Sequence, residues 1–382
     1  MAALFTRAQG PARQAGLPEG VKALRDVAYV ENGHARQKLD LYVPEQATNA
    51  LPVIIWIHGG GWKNGSKEGC PPLRQGFLSR GYAVASLNYR LSGDAIFPAQ
   101  IEDCKAAVRW LRVNAKQYGL DPDRFGVWGS SAGGHLVALL GTSGDEKAFD
   151  VGANLGVSSR VQAVCDYYGP SDLLQMDSHA PGGARLKHDA PDSPEAALIG
   201  GPVQENREKA ARVNPITYIA TNALPPFLIV HGDADPVVPY HQSELLFEAL
   251  KKAGGNVHLH RIIGAEHGKG FGGKEITERV TAFFDSWLKA PGPVVVAAAA
   301  KQTESLAVDE PGMGNGARNR QQGRGPQQGG PRITFEQVKA REDADGDGRV
   351  TREEFKGPQP MFQRLDRNGD GALTAEDFGE KP

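Results

Sequence analysis

Apolar runs of strand length recur through residues 50–265 and set the expected architecture. They are Val53-Ile-Ile-Trp-Ile57, Ala83-Val-Ala-Ser-Leu87, Phe125-Gly-Val-Trp128, Val161-Gln-Ala-Val-Cys165, Phe227-Leu-Ile-Val230 and Val257 to Ile263. Short runs of this kind predict strands buried on both faces of a mostly parallel sheet. Helical periodicity falls between them, at Ala99 to Tyr118 (apolar at Ile101, Cys104, Val108 and Leu111), Ala132 to Leu140, Gln242 to Ala253 and Glu275 to Lys289. Strands alternating with helices predict a doubly wound α/β fold with helices on both faces of the sheet. Leu24 to Val30 and Gln37 to Val43 predict an antiparallel pair at its leading edge. The loop-rich stretch 169–224 lies between two core strands, where it would form a partial lid over the C-terminal ends of the strands.

Composition changes this picture mainly after residue 290. Residues 290–331 are a tract of Pro, Ala, Gln, Gly and Arg with few large apolar side chains, which predicts a linker. The expected organisation is an N-terminal extension (1–20), a catalytic domain (21–289), the linker (290–331) and a small C-terminal module (332–382). A net charge of −2 over 382 residues gives no basic surface for nucleic acid or anionic lipid. The longest hydrophobic run, Val294 to Ala300, is far too short to span a bilayer. Met1 to Gly20 lacks the apolar region of a secretory signal, so the chain is either cytoplasmic or written without its leader. Cys70, Cys104 and Cys165 follow no zinc or disulfide-framework spacing and read as buried thiols, although one pair could still be bridged. Nothing in the sequence fixes an oligomeric state.

The strongest chemical signal is Gly129-Ser130-Ser131-Ala132-Gly133, a G-x-S-x-G placed between a predicted strand and a predicted helix. A strand-to-helix turn this tight forces its central residue into a strained conformation, and the small flanking glycines let strand and helix approach. Ser131 is the central residue and the candidate nucleophile; Ser130 is out of register. Its hydroxyl would stand at a helix N-terminus, where the dipole favours developing negative charge.

His58-Gly59-Gly60-Gly61-Trp62 follows the strand 53–57 and predicts an oxyanion hole. Glycines there leave backbone N–H groups free to point at a developing oxyanion. The expected donors are Gly60, Gly61 and Ala132, with His58 stabilising the loop rather than acting as a base. A general base is expected after the last core strand, where His267 lies in Gly264-Ala-Glu-His-Gly268. His258 and His260 fall inside that strand and read as packed or surface residues. The orienting acid should follow the strand 227–230. Of the two carboxylates there, Asp235 precedes Pro236-Val-Val-Pro239, which would carry the chain towards His267, whereas Asp233 is suited to capping the turn. The chain order Ser131, Asp235, His267 is the order of an α/β-hydrolase. This constellation needs no cofactor for catalysis.

The C-terminal module carries a different chemistry. Residues 343–354 fit D-x-[DN]-x-[DN]-G-x₅-E, with Asp343, Asp345 and Asp347 at positions 1, 3 and 5, a carbonyl from Arg349 and a bidentate Glu354. That donor set suits Ca²⁺. A second loop repeats the plan through Asp366, Asn368, Asp370, the carbonyl of Ala372 and Asp377. The shorter Asp377 at position 12 predicts weaker Ca²⁺ binding or some Mg²⁺ occupancy. Val350 and Leu373 sit at position 8 of the two loops, where a short β-bridge would pair them. The resulting fold would be a compact, α-rich, metal-dependent module used for stability or docking rather than for regulation.

Taken together, His58-Gly-Gly-Gly-Trp62, Gly81-Tyr-Ala-Val84, Asn88-Tyr-Arg-Leu91, Phe97-Pro-Ala-Gln100, Asp121-Pro-Asp123, Gly129-Ser-Ser-Ala-Gly-Gly-His135 and His231-Gly-Asp-Ala-Asp235 resemble bacterial acetyl-esterase/lipase-like α/β-hydrolases, nearest to the feruloyl-esterase branch. The resemblance covers about residues 20–289. It implies a carboxylic ester hydrolase acting on acetyl or feruloyl esters of plant polysaccharides, with Ser131, Asp235 and His267 as triad and the His58 loop as oxyanion hole. The tail resembles tandem bacterial EF-hands, with a shortened segment between loops. Such substrates and calcium loops point to a periplasmic or secreted protein. Two other readings share part of the pattern. One is a serine peptidase of prolyl-oligopeptidase type, which would need a larger cap than this chain can hold. The other is a calcium-dependent polysaccharide-binding protein with an idle hydrolase fold.

Overall fold

The computed structural model describes Leu17, residues 19–219 and 224–289, and in the C-terminal segment Phe335, Lys339, Asp343, Asp345, 347–355, Phe362, Leu365, Asp366, 371–374 and Asp377. The predicted linker, all but the last few residues of the N-terminal extension, and Asn368 and Asp370 of the second loop lie outside the described residues. The chain divides into two compact units, Met1–Gly312 and Met313–Pro382.

The first unit is built on an eight-stranded sheet of order β1-β2-β4-β3-β5-β6-β7-β8. Its strands are β1 (Val21–Ala28), β2 (Lys38–Pro44), β3 (Leu51–Ile57), β4 (Ala83–Leu87), β5 (Leu120–Ser130), β6 (Ala163–Tyr167), β7 (Phe227–Gly232) and β8 (Val257–Ile262). β2 runs antiparallel to both β1 and β4, and all the pairs from β4 to β8 are parallel. The expected leading-edge hairpin is therefore present, with its first strand starting at Val21 rather than Leu24. β6 also differs from expectation, covering 163–167 rather than 161–165. Gln162 explains the shift, because its side-chain carbonyl accepts the Phe125 N–H at 2.9 Å where a ladder bond would otherwise begin.

The helices are α1 (Pro71–Arg74), α2 (Ala99–Val113), α3 (Ala115–Tyr118), α4 (Ala132–Thr142), α5 (Pro194–Ile199), α6 (Arg207–Val213), α7 (His241–Lys252) and α8 (Lys274–Leu288). The single helix expected over 99–118 is interrupted at Asn114, whose side-chain amide donates to the Trp110 carbonyl at 2.8 Å. Strand alternation feeds two cores. Val53, Ile55 and Ile57 of β3 face α2, α4 and α7, while Ile54 and Trp56 face Phe77 and α8. Both faces being covered is why these strands read as unbroken apolar runs. All three cysteines are free and buried. Among the described residues no helix is long and apolar enough to cross a membrane.

In the second unit, β9 (Val350–Thr351) pairs antiparallel with β10 (Ala372–Leu373), and Leu373 stands opposite Val350. Phe335, Val350, Phe355, Phe362 and Leu373 form a small buried cluster.

Phe284 on α8 is fully buried, and its ring packs against both Phe77 and Trp128. Phe284→Ala should lower the unfolding free energy by about 3–5 kcal/mol in a urea titration, the usual cost of emptying a rigid aromatic site. A loss below about 1 kcal/mol would mean that this core collapses into the gap.

Candidate active site

The turn from β5 into α4 determines where the serine stands. Ser131 is the N-cap of α4 with φ 55° and ψ −124°, and its N–H donates to the Tyr167 carbonyl at 2.8 Å. A β-carbon on Gly133 would lie 2.1 Å from the Ile57 carbonyl oxygen, and one on Gly129 would lie 2.3 Å from the Gly133 oxygen. Only glycines permit this approach of strand end to helix start. Ser130 closes β5 and also lines the cleft, but the histidine engages Ser131.

His267 and Asp235 reach the same rim from the loops after β8 and β7. His267 Nε2 lies 3.0 Å from Ser131 Oγ, and its Nδ1 lies 2.6 Å from Asp235 Oδ2. An ionised carboxylate can only accept, so the proton sits on Nδ1 and leaves Nε2 free to accept from the serine. Asp235 Oδ1 accepts the N–H groups of Val237 (2.8 Å) and Val238 (3.0 Å), as the Pro236–Pro239 stretch folds over it. His231 adds a bond to Asp235 Oδ2 at 3.2 Å. Burial alone would raise the Asp235 pKa, but the bonds from His231 and His267 outweigh it and hold the carboxyl well below the usual carboxylate range. Asp233 points elsewhere, accepting the Gly264 N–H and pairing with Arg261.

The glycine loop after β3 forms the facing wall. Gly60 (φ 110°) and Gly61 (φ 59°) take conformations that side chains disfavour. No described residue accepts a hydrogen bond from the N–H of Gly60, Gly61 or Ala132, and all three line the cleft with Ser131 and His267. His58 is buried beneath the loop, stacked on Tyr89, with Nδ1 2.7 Å from the Gly59 carbonyl. Burial pushes its pKa down to about 4, so it is neutral and structural.

Trp62, His135 and Val213 tie three segments together. The Trp62 indole donates to His135 Nδ1 at 3.1 Å, and His135 Nε2 meets the Val213 carbonyl at 2.7 Å. That pairing fixes the neutral Nε2–H tautomer, and burial pushes the pKa down to about 4. The glycine loop, α4 and the end of α6 are thereby joined through one ring. Sequence reasoning used His135 only as part of a motif and gave it no role.

The cleft encloses about 500 Å³. Segment 169–224 contributes Pro170, Leu186, His188, Pro194 and Glu195 to its wall. Tyr168, with φ 44°, packs its ring against that of His267, with centroids 4.6 Å apart and planes tilted by 60°. Under the turn lies Asp166, fully buried at the end of β6, whose Oδ1 accepts the Gly169 N–H at 2.9 Å while Oδ2 has no hydrogen-bond partner among the described residues. Burial lifts this carboxyl to about 7, against the opposing pull of the Gly169 bond.

In the second unit, Asp343, Asp345 and Glu354 can each bring a carboxylate oxygen within 4.8 Å of the others. Gly348, at φ 84°, donates its N–H to Asp343 Oδ2, and the Arg349 N–H meets Asp347 Oδ1. In the second loop the Gly371 N–H meets Asp366 Oδ2, Ala372 lies in β10, and Asp377 accepts from the Thr374 N–H and hydroxyl. The first set of oxygen donors fits a hard divalent cation.

A mostly parallel sheet carrying a serine elbow, a glycine loop and the chain order Ser131, Asp235, His267 defines an α/β-hydrolase. Residues 39–250, more than half of the chain, match the BD-FAE family model, and the chain belongs to that family. Residues 343–357 and 359–380 match the EF-hand model. Esterase LipQ of Mycobacterium tuberculosis (strain ATCC 25618 / H37Rv) is 35% identical over 205 residues, which cover 53% of this chain and 46% of LipQ. The probable carboxylic ester hydrolase LipM of the same strain is 32% identical over 231 residues, covering 59% of this chain and 51% of LipM. The chain thus spans about half the length of the curated relatives it matches. Among solved structures, a truncated carbohydrate esterase from gut microbiota superposes with a TM-score of 0.64 at 32% identity, covering 72% of this chain and 100% of that one. The butyrate-bound esterase Est2 of Thermogutta terrifontis gives a TM-score of 0.54 at 26% identity, covering 77% and 97%.

The raised Asp166 carboxyl makes stability depend on pH with a defined sign. Between the ordinary aspartate value of about 4 and the folded value of about 7, the native chain keeps a proton that the unfolded chain has released. Its contribution to stability is therefore full below about pH 4, falls as pH rises towards about 7 and levels off above. Asp166→Asn should shrink the difference between unfolding free energies measured at about pH 5 and about pH 8, and an unchanged difference would place the proton elsewhere.

Proposed function

We propose that this chain is a serine carboxylic ester hydrolase acting through an acyl-enzyme, with acetyl or feruloyl esters of plant polysaccharides as substrates. The observation that carries the reading is the unbroken relay from Ser131 Oγ through His267 to Asp235, set beside three N–H groups with no acceptor among the described residues. The esterases among its relatives support ester hydrolysis, and the carbohydrate esterase among its structural neighbours supports a carbohydrate-linked ester. Ser131 attacks the ester carbonyl as His267 Nε2 takes its proton, and the carbonyl oxygen becomes an oxyanion received by Gly60, Gly61 and Ala132. His267 then returns the proton to the departing alcohol. Water, deprotonated by the same ring, releases the acid and frees the serine. Asp235 holds the tautomer and stabilises the imidazolium, with His231 bracing Asp235.

In the tail we assign Ca²⁺ to Asp343, Asp345, Asp347, the Arg349 carbonyl and Glu354. A weaker site falls to Asp366, Asn368, Asp370, the Ala372 carbonyl and Asp377. The metal folds or docks the tail and takes no part in the chemistry. Polysaccharide-linked substrates and calcium loops of this kind suit the periplasm or the exterior of the cell.

Ser131→Ala should cut hydrolysis of p-nitrophenyl acetate by about 10⁶-fold, and Asp235→Asn by about 10⁴-fold. Turnover by Ser131→Ala at the wild-type rate would refute the reading. Calorimetric titration with Ca²⁺ should show a tight site that Glu354→Gln removes, while chelation leaves esterase turnover unaltered. A chelator-sensitive rate would show instead that the tail and Ser131 are coupled.

A further inference from the structure

Two ionisable side chains in the cleft wall take no part in the relay. His188 and Glu195 both line the cleft, and they are only 2% and 3% exposed. His188 Nδ1 lies 2.9 Å from Glu195 Oε1, and its Nε2 lies 2.9 Å from the Val237 carbonyl oxygen. A ring with an acceptor at each nitrogen carries a proton on both, so His188 is a cation and Glu195 its counter-ion. Burial alone would strip that proton, but Glu195, with Asp177 behind it, reverses the effect and raises the pKa.

The pair is held firmly in place. Asp177 accepts the N–H groups of His188 (2.9 Å) and Asp189 (3.0 Å) through its two oxygens. Ser193 Oγ accepts the Ala196 N–H at 3.0 Å and so caps the short helix that carries Glu195. Val237 is itself bound to Asp235, so the His188 ring bridges segment 169–224 to the turn that orients His267.

One atom of this arrangement is left over. Glu195 Oε2 is buried and accepts no hydrogen bond from any described residue. An ionised carboxylate has lone pairs on both oxygens, and leaving one oxygen dry and without a donor is costly. Of the cleft-lining side chains that carry a donor, Lys63, Asn64, Ser130, Ser131, Tyr168 and His267, none bonds this oxygen. Glu195 lines the cleft, so a donor on a bound molecule can complete this carboxylate.

We propose that Glu195 accepts a hydrogen bond from a hydroxyl group of the ester substrate, so that the cleft selects esters bearing a free hydroxyl near the scissile bond. The inference rests on the esterase reading above. A neutral hydroxyl is the donor that fits, because an ammonium or guanidinium group would be repelled by the His188 cation on the same carboxylate. Two parts of an ester can supply it: a sugar hydroxyl beside the acylated oxygen, or the phenol of an aromatic acyl group.

Matched substrate pairs separate these sources. One pair is a methyl xyloside monoacetate with a free neighbouring hydroxyl and its deoxy analogue; the other is methyl ferulate and its phenolic methyl ether. The wild-type protein should prefer the hydroxyl-bearing member of one pair by about 10-fold or more in kcat/KM, and the pair that discriminates identifies the source. Glu195→Gln exchanges a charged acceptor for a neutral one and should reduce that preference roughly 5- to 10-fold. Equal losses on both members would mark Glu195 as merely structural and overturn the proposal. So would a wild-type protein that discriminates in neither pair, a result that needs no variant to fold. Hydrolysis of p-nitrophenyl acetate without discrimination sinks this inference alone. Failure to hydrolyse any ester sinks the esterase reading and this inference with it.

Discussion

The site depends on one close approach of backbone. The first turn of α4 lies so near the end of β3 that no atom beyond hydrogen fits on Gly133 against the Ile57 carbonyl. This contact places the N-terminus of α4, and hence Ser131, directly beside the loop that leaves β3. The serine takes a left-handed backbone as a result. Trp62, in the glycine loop after β3, and Tyr168, directly after β6, share that sign of φ. Strain of this sort persists only where surrounding packing over-determines it. The fully buried Trp128 of β5, packed against Trp56 and Phe284, supplies such packing beneath the turn.

Around this turn the fold holds buried ionisable groups in opposite charge states by giving each a different set of partners. Asp235 receives N–H donors on both oxygens and stays ionised. Asp166, with a single donor and full burial, keeps its proton to about neutral pH. His135 faces one donor and one acceptor and is neutral. His188 faces two acceptors and is charged. Donor count and burial thus decide states that residue type alone leaves open.

Much of the sheet and the serine turn was legible because their causes are local. Apolar runs mark buried strands, and glycines flanking a serine between strand and helix mark a tight elbow. Departures came where a side chain competes with backbone pairing. Gln162 delays β6, and Asn114 divides the helix expected over 99–118. His188 and Glu195 were missed for a different reason. Their partners, Val237 among them, lie in separate segments, and no periodicity or motif links a histidine in an irregular loop to a carbonyl after β7. The same holds for Asp166, which reads as one more position of a strand, and for His231, which was noticed only as part of the run containing Asp235.

The His135 bridge limits how the region above the sheet can vary. Because its Nε2–H is satisfied by the main-chain oxygen of Val213, the requirement on that segment is geometric and indifferent to side-chain identity. Loops grafted into 169–224 could therefore differ widely in sequence and still seat correctly, provided some backbone oxygen returns to the same point. A graft that misses this point would leave an imidazole proton stranded in the interior and loosen Trp62, so the penalty would surface in the glycine loop, far along the chain from the altered segment.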